Sequence, residues 1–320
     1  MIDFMWLEIT GKCQLECGHC YASSGPNGTH GTMTSEDWMR VIDQGAALGV
    51  SMVQFIGGEP TLHPDLPMLV RHALDAAVEV EIYTNLVHVT PAMWQVFRQP
   101  GVRLATSYYS DDASEHQAIT RRPTLKVTTK NIARAQEFGI PLRAGVIGVL
   151  GGQRSGEGIA LLERLGVPDV GYDDLREVGR GVRENGPGVE QLCGQCGDRK
   201  IAISPSGEVW PCVFSRWLPV GNVREMSLAD IATSETFARV IGDLRGQFTT
   251  TMGECAPKTC NPKCSPSCSP SCKPANNCGP SGNCAPKYSC GPCAPKDRVC
   301  NPGLNCVPNK CGPDRCKPEK

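Results

Sequence analysis

Three thiols crowd the start of the chain: Cys13, Cys17 and Cys20 fall within eight residues in the spacing C-x3-C-x2-C. Three thiolates on one loop can hold three irons of a four-iron cluster. The fourth iron then stays open, and an open position is what separates catalytic metal sites from closed structural ones. A zinc loop is the alternative that this spacing admits. A second set, Cys193, Cys196 and Cys212, encloses Gly207, so that Cys196, Gly207 and Cys212 read C-x10-G-x4-C; a zinc ribbon is the alternative here. Between the two sets lies Gly57-Gly58-Glu59-Pro60, directly after an apolar run. Paired glycines let a backbone come close to a ligand and offer it unblocked N–H and C=O groups.

The elements that must position these residues alternate. Residues 4–10 read as a first strand, and the cysteine loop follows it. Thr34 and Asp37 form a capping pair at the start of a helix whose Trp38, Val41, Ile42 and Leu48 recur at helical spacing, and Gly49 closes it. A strand over 51–56 leads into Gly57, and a helix from about Pro64 carries Leu66, Leu69, Val70, Ala73 and Leu74 on one face. Strands over 80–84, 102–107, 142–149 and 169–172 alternate with helices over 91–97, 125–138 and 156–165. Parallel strands need crossover helices, so the alternation predicts an α/β fold with a parallel sheet. Six units are fewer than the eight of a closed barrel, and the expectation is a partial (β/α)6 barrel with its chemistry at the C-terminal strand ends. After residue 185, short strands over 200–204 and 208–210 flank Pro205-Ser206-Gly207 as a β-hairpin, and an amphipathic helix over 227–244 comes next. The expected domains are therefore a barrel over 1–185, a small hairpin and helix cluster-binding domain over 186–254, and a Cys/Pro-rich tail over 255–320.

In that tail all 13 cysteines are followed two positions later by proline. Proline removes a backbone donor and drives its predecessor toward extended backbone, which excludes a helix or a central strand. With few large apolar residues the tail cannot build a core, so its order must come from sulfur, through metal or disulfides.

Over the 320 residues, 32 lysines and arginines nearly balance 33 acids, for a formal charge of −1. That balance favours neither a nucleic-acid nor a membrane-surface partner. The chain opens directly on a strand pattern, without a signal peptide or a long apolar span. Nineteen cysteines without an export signal are read as metal thiolates in a reducing cytoplasm.

These motifs, in this order, resemble those of the radical S-adenosylmethionine enzymes over residues 4–245. The family's hallmark is C-x3-C-x2-C with an aromatic residue before the third Cys, a place held here by His19; many relatives have Asn where this chain has Gln14, which leaves the ligands intact. The resemblance implies a [4Fe-4S] cluster on Cys13, Cys17 and Cys20 whose open iron chelates S-adenosyl-L-methionine. It implies that Gly57, Gly58, Glu59 and Pro60 bind the amino group of that cosubstrate. Thr84, Asn85, Ser107 and Arg121 fall where relatives contact its ribose, methionine or carboxylate; a turn-shaping Asn85 and an Arg121 paired with a local acid are the alternatives. Gly179-Arg180-Gly181 also resembles a family segment, and as a polar loop it receives no role.

The C-x10-G-x4-C hairpin resembles the start of the SPASM/twitch extension, which implies one or two auxiliary [4Fe-4S] clusters drawing on Cys193, Cys196, Cys212, Cys255, Cys260, Cys264 and Cys268. The tail departs from the family spacing, with C-x4-C-x3-C-x3-C-x3-C from Cys255, so the assignment of individual thiols stays open. The implied activity is cleavage of S-adenosylmethionine to a 5′-deoxyadenosyl radical that takes hydrogen from a substrate. A ribosomally made peptide undergoing crosslinking or epimerisation is the expected substrate. The alternatives are oxidation of a small alcohol or sugar, and a non-catalytic soft-metal-binding protein. A flavodoxin or ferredoxin electron donor is implied. Because the chain opens on the barrel's first strand, leader recognition is expected to fall to a separate protein or to the barrel mouth.

Overall fold

The computed structural model describes residues 2–252 and the segments Cys272–Lys273 and Asn277–Cys278. The expected cluster ligands Cys255, Cys260, Cys264 and Cys268 lie outside the described residues.

Six parallel strands form the body of the sheet: β1 (Phe4–Thr10), β2 (Met52–Gly57), β3 (Glu79–Tyr83), β4 (Val102–Tyr108), β5 (Leu142–Gly148) and β6 (Asp169–Asp174). They lie side by side in chain order. Helices α1 (Ser35–Ala47), α2 (Leu66–Asp75), α3 (Pro91–Phe97), α4 (Ala113–Thr120), α5 (Leu125–Glu137) and α6 (Ser155–Arg164) make the crossovers. Strand β1 is covered on both faces: from Met5 to Thr10 every residue is buried. Helix α1 shows why the sequence starts where it does. The Thr34 side chain accepts from the Asp37 N–H at 3.2 Å, and Asp37 accepts from the Thr34 N–H at 3.0 Å. This reciprocal cap satisfies two otherwise orphaned donors. Trp38, Val41 and Ile42 then face the sheet.

Two elements differ from the sequence expectation. Helix α4 stands where the sequence pattern indicated no element; its inward residues are His116, Ile119 and Thr120, a face too polar to show as apolar periodicity. The helix expected over 227–244 is two, α7 (Leu228–Thr233) and α8 (Glu235–Met252). Ser234 divides them, with extended backbone at ψ 150° and a hydroxyl that accepts from the Phe237 N–H at 3.0 Å.

The hairpin of β7 (Lys200–Ile203) and β8 (Glu208–Trp210) joins the same sheet. Strand β7 runs parallel to β1 in the register Phe4 to Lys200 through Leu7 to Ile203. A two-residue strand β9 (Gly221–Asn222) completes the order β6-β5-β4-β3-β2-β1-β7-β8-β9. One core therefore runs from Val146 through Leu7 and Phe55 to Ile201, Val209 and Ile231. In the tail, Cys272–Lys273 pairs antiparallel with Asn277–Cys278. Among the described residues no helix is long and apolar enough to cross a membrane.

Candidate active site

The cysteine loop leaves the C-terminal end of β1, and three neighbours hold it. The end of β2 is the first. Gly58 N–H donates to the Thr10 carbonyl at 2.6 Å, and Glu59 N–H to the Lys12 carbonyl at 2.8 Å. A Cβ at Gly57 would stand 2.3 Å from Thr10 O, and one at Gly58 would stand 2.2 Å from Lys12 O. Both glycines are therefore required by the approach of two strand ends, as well as by any ligand beyond them. Helix α4 is the second neighbour, through the carbonyls of Ile119 and Thr120, which accept from Gly18 N–H and Glu16 N–H.

The third neighbour is the 3-10 turn Gly179–Gly181. Arg180 donates from Nε to Cys17 O at 3.0 Å, from its guanidinium to Ser24 O at 2.5 Å, and from its backbone to Cys20 O at 3.0 Å. Gly179 has φ +59°, and a Cβ there would meet Tyr21 O at 2.2 Å.

Cys13, Cys17 and Cys20 line one cavity at the C-terminal strand ends, together with Gly57 and Gly58. Its apolar wall comes from Leu15, Ile56, Ile147 and Phe214. Its polar wall is Asn85, Ser107 and the phenols of Tyr83 and Tyr109. Asn85 accepts from Gln14 Nε2 at 3.0 Å, Tyr83 OH lies 3.0 Å from Ser107 Oγ, and Tyr109 OH lies 3.1 Å from His19 Nε2. Asp173, Asp174 and Arg176 line the cavity from the end of β6. Among the described residues, three lining side chains present buried polar atoms without a hydrogen-bond partner: His19 Nδ1, Tyr21 OH and Ser24 Oγ.

The second thiol set packs beside this cavity. Cys196 and Cys212 are buried with their sulfurs 3.0 Å apart, longer than the ~2.05 Å of a disulfide. The Cys196 thiol is pushed up, first because its proton is shared with Cys212 and then by burial. Burial also opposes ionisation of Cys212, but hydrogen bonds from Cys196, Ser215 and nearby backbone outweigh it and bring that thiol down. Half-buried Cys193 is raised by burial, against the charges of Arg176 and Lys200. Among the described residues no three His, Cys, Asp or Glu side chains converge on a point that would hold one metal ion.

Comparison with known proteins gives this arrangement a family. The profile of the Radical SAM superfamily matches residues 7–165, and that of the SPASM iron-sulfur cluster-binding domain matches residues 193–272. The chain belongs to the radical SAM superfamily and carries a SPASM domain. A PqqA peptide cyclase of Granulibacter bethesdensis is 26% identical over an alignment of 268 residues that covers 70% of this chain and 72% of the cyclase. Among solved structures, Streptococcus suis SuiB bound to the precursor peptide SuiA superposes with a TM-score of 0.63 at 15% identity, covering 77% of this chain and 67% of SuiB. The structure of anSMEcpe with bound AdoMet superposes at 0.60 with 10% identity, covering 76% of this chain and 83% of that one.

The cavity fits the cofactors of a radical SAM enzyme, S-adenosylmethionine and iron-sulfur. Burial, with the Glu59 charge adding to it, pushes the Cys13 thiol up to about 12. Burial and the neighbouring Cys20 push Cys17 up to about 12 as well. Thiols this reluctant to ionise become thiolates only against a strong positive partner, which iron supplies. His19 is brought down to about 4 by burial and by the charges of Arg180 and Arg183, so it is neutral at pH 7. The buried polar atoms of His19, Tyr21 and Ser24, with Gly57 and Gly58 beside them in the lining, suit a polar cosubstrate.

The residues expected from sequence separate into two groups. Gly57, Gly58, Asn85, Ser107 and His19 line the cavity. Pro60, Glu59 and Thr84 are buried and outside that lining. Glu59 accepts from Thr61 N–H, Thr61 Oγ1, Thr84 Oγ1 and Asn85 N–H, which ties the end of β2 to the end of β3. Arg121 is exposed, caps α4 with φ +62° and rests its guanidinium near Gly18. The acid pair in that neighbourhood belongs to Arg122, which reaches Glu16 at 2.6 Å. Sequence reasoning missed Tyr83, Tyr109, Asp173, Arg176 and Phe214, whose positions give no local motif. It left Arg180 without a role, although Gly-Arg-Gly was the available signal.

Proposed function

We propose that this enzyme modifies a ribosomally made peptide by removing hydrogen from it, and that the product is a crosslink. The observation that carries the reading is the shared cavity: three thiols, the Gly57-Gly58 backbone and Phe214 of the second thiol-bearing segment line the same space. A cavity joined to a second cluster site suits a reaction that must dispose of an electron as well as a hydrogen atom. The relatives support a peptide substrate, since they include a peptide cyclase and a structure with a precursor peptide bound.

In this reading Cys13, Cys17 and Cys20 hold the cluster, and Gly57, Gly58, His19, Asn85 and Ser107 hold S-adenosylmethionine. When bound, those groups supply a 5′-deoxyadenosyl radical able to take a hydrogen atom from the peptide. The protein's own residues control the surroundings of that reaction. Leu15, Ile56, Ile147 and Phe214 exclude water from the reacting atoms. Arg180 and the end of α4 fix the loop so that its thiols stay aimed inward. A crosslink loses two hydrogens, one as an atom and one as a proton with an electron. Asp174, exposed at the end of β6, offers a carboxylate for the proton. An inversion would instead need a thiol to return hydrogen, and among the described residues only Cys13, Cys17 and Cys20 bring thiols to this cavity. Two auxiliary clusters, a flavodoxin or ferredoxin donor and a separate leader-binding protein complete the proposal.

The test is anaerobic reconstitution followed by incubation with deuterated peptides encoded beside the gene. Expected are deuterium in 5′-deoxyadenosine and a peptide lighter by two hydrogens. In a parallel incubation of the unlabelled peptide in heavy water, incorporation of solvent deuterium without other mass change would indicate inversion. Transfer from a small alcohol or sugar, with none from any such peptide, would overturn the peptide reading.

A further inference from the structure

The described residues place one buried guanidinium between the cavity and the second thiol set, outside the motifs named above. Arg176 lies just beyond β6 and is 9% exposed. It pairs with Asp173 through Nε at 3.2 Å and through a terminal nitrogen at 3.0 and 3.2 Å. Its other terminal nitrogen donates to Gln191 O at 2.6 Å, two residues before Cys193. Its carbon centre stands 5.2 Å from the Phe214 ring, two residues after Cys212. Arg176 therefore touches both segments that carry the second thiols, and its charge acts on Cys193 and Cys212. It also lines the cavity.

We infer that Arg176 is a positioning residue that sets the reduction potential of the auxiliary iron-sulfur cluster, with Asp173 as its counterweight. This rests on the reading that Cys193, Cys196 and Cys212 ligate such a cluster. Cluster potentials depend on net charge and the groups around the sulfurs. One-electron reduction adds one negative charge and moves no proton or ligand, so a fixed guanidinium beside the sulfurs favours the reduced form. Arginine stays charged when buried, which makes it a constant bias. Asp173, in bidentate contact, cancels part of that bias. The arrangement gives the electron left over from a two-hydrogen crosslink a favourable acceptor on the cavity's flank.

The pair predicts shifts of opposite sign, which a merely structural role does not. The experiment uses the full chain with Cys13→Ala, Cys17→Ala and Cys20→Ala, so that only auxiliary clusters contribute. It measures iron, sulfide and the EPR midpoint in a dithionite titration. Arg176→Gln is expected to lower the midpoint by about 59 mV, tenfold in a one-electron equilibrium. Asp173→Asn is expected to raise it, and Arg176→Lys to remain near the parent. Full iron and sulfide with midpoints unmoved in both charge-altering variants overturns the role of Arg176. If Arg176→Gln fails to fold, Asp173→Asn decides alone: a raised midpoint supports the inference, and an unchanged or lowered one overturns it. Absence of iron and sulfide in the parent overturns the cluster reading beneath it, a result distinct from an unmoved midpoint.

Discussion

At the scale of single residues, Glu59 shows how a motif expected to hold a ligand also holds the fold. Its carboxylate accepts four hydrogen bonds, from Thr61, Thr84 and Asn85, while it is 1% exposed. In Glu59→Gln one oxygen becomes a donor amide, which leaves a buried N–H facing another donor. The expected cost is about 1–3 kcal/mol, read as a lower melting temperature; an unchanged melt would remove Glu59 from the scaffold. The thiols are expected to behave differently, because in the proposed reading they serve the cofactor and not the core. Replacing Cys13, Cys17 and Cys20 together by Ala should abolish cleavage of S-adenosylmethionine while iron persists at the second set. Cleavage at the parental rate would show that another site performs it. The spacing of these thiols is local, so it was legible in the sequence. The roles of Tyr83, Tyr109 and Arg176 were not, because each depends on which strand ends meet around the cavity.

At the scale of elements, the turn Gly179–Gly181 and helix α4 form the back of the cysteine loop. Arg180 reaches Cys17 O from 163 positions further along the chain. No pattern of sequence spacing reports a contact of that kind. Alternation of apolar runs did report the six strands and most helices, since each such element advertises its own buried face. It failed at α4, whose inward face contains His116 and Thr120, and at Ser234, where one hydroxyl cap divides two helices. Arg180→Ala removes two side-chain bonds to loop carbonyls, so the loop should lose definition before the barrel does. The expected result is lower iron at the first site with auxiliary iron retained, resolved by EPR with and without S-adenosylmethionine. Gly179→Ala should act in the same direction, because its Cβ would stand 2.2 Å from Tyr21 O. Equal iron loss at both sites would mean that the turn supports the whole fold and not the loop.

At the scale of the molecule, the two thiol sets belong to one continuous sheet, because β7 pairs with β1 in parallel. The hairpin itself was legible from Pro205-Ser206-Gly207, but its partner strand lies nearly two hundred residues earlier and gave no local sign. The same seam carries a buried ion pair. Glu8 of β1 is 1% exposed, and one terminal nitrogen of Arg216 reaches both its oxygens at 2.6 and 2.8 Å. The guanidinium also stacks 4.3 Å above Trp210 of β8. Burial raises the Glu8 carboxyl, and the Arg216 charge works against that rise. Arg216→Ala strands the acid in the core, and breaking such a pair from one side costs about 3–5 kcal/mol. A shared sheet and core should make barrel and hairpin unfold together, so the loss should move one calorimetric transition downward, by roughly 2–4 °C per kcal/mol. Pairing Arg216→Met with Glu8→Gln removes both charges and should recover part of the loss, because the remaining cost is mainly packing against Trp210. Two separate transitions, with only one of them displaced by Arg216→Ala, would show that the seam does not couple the two cluster sites.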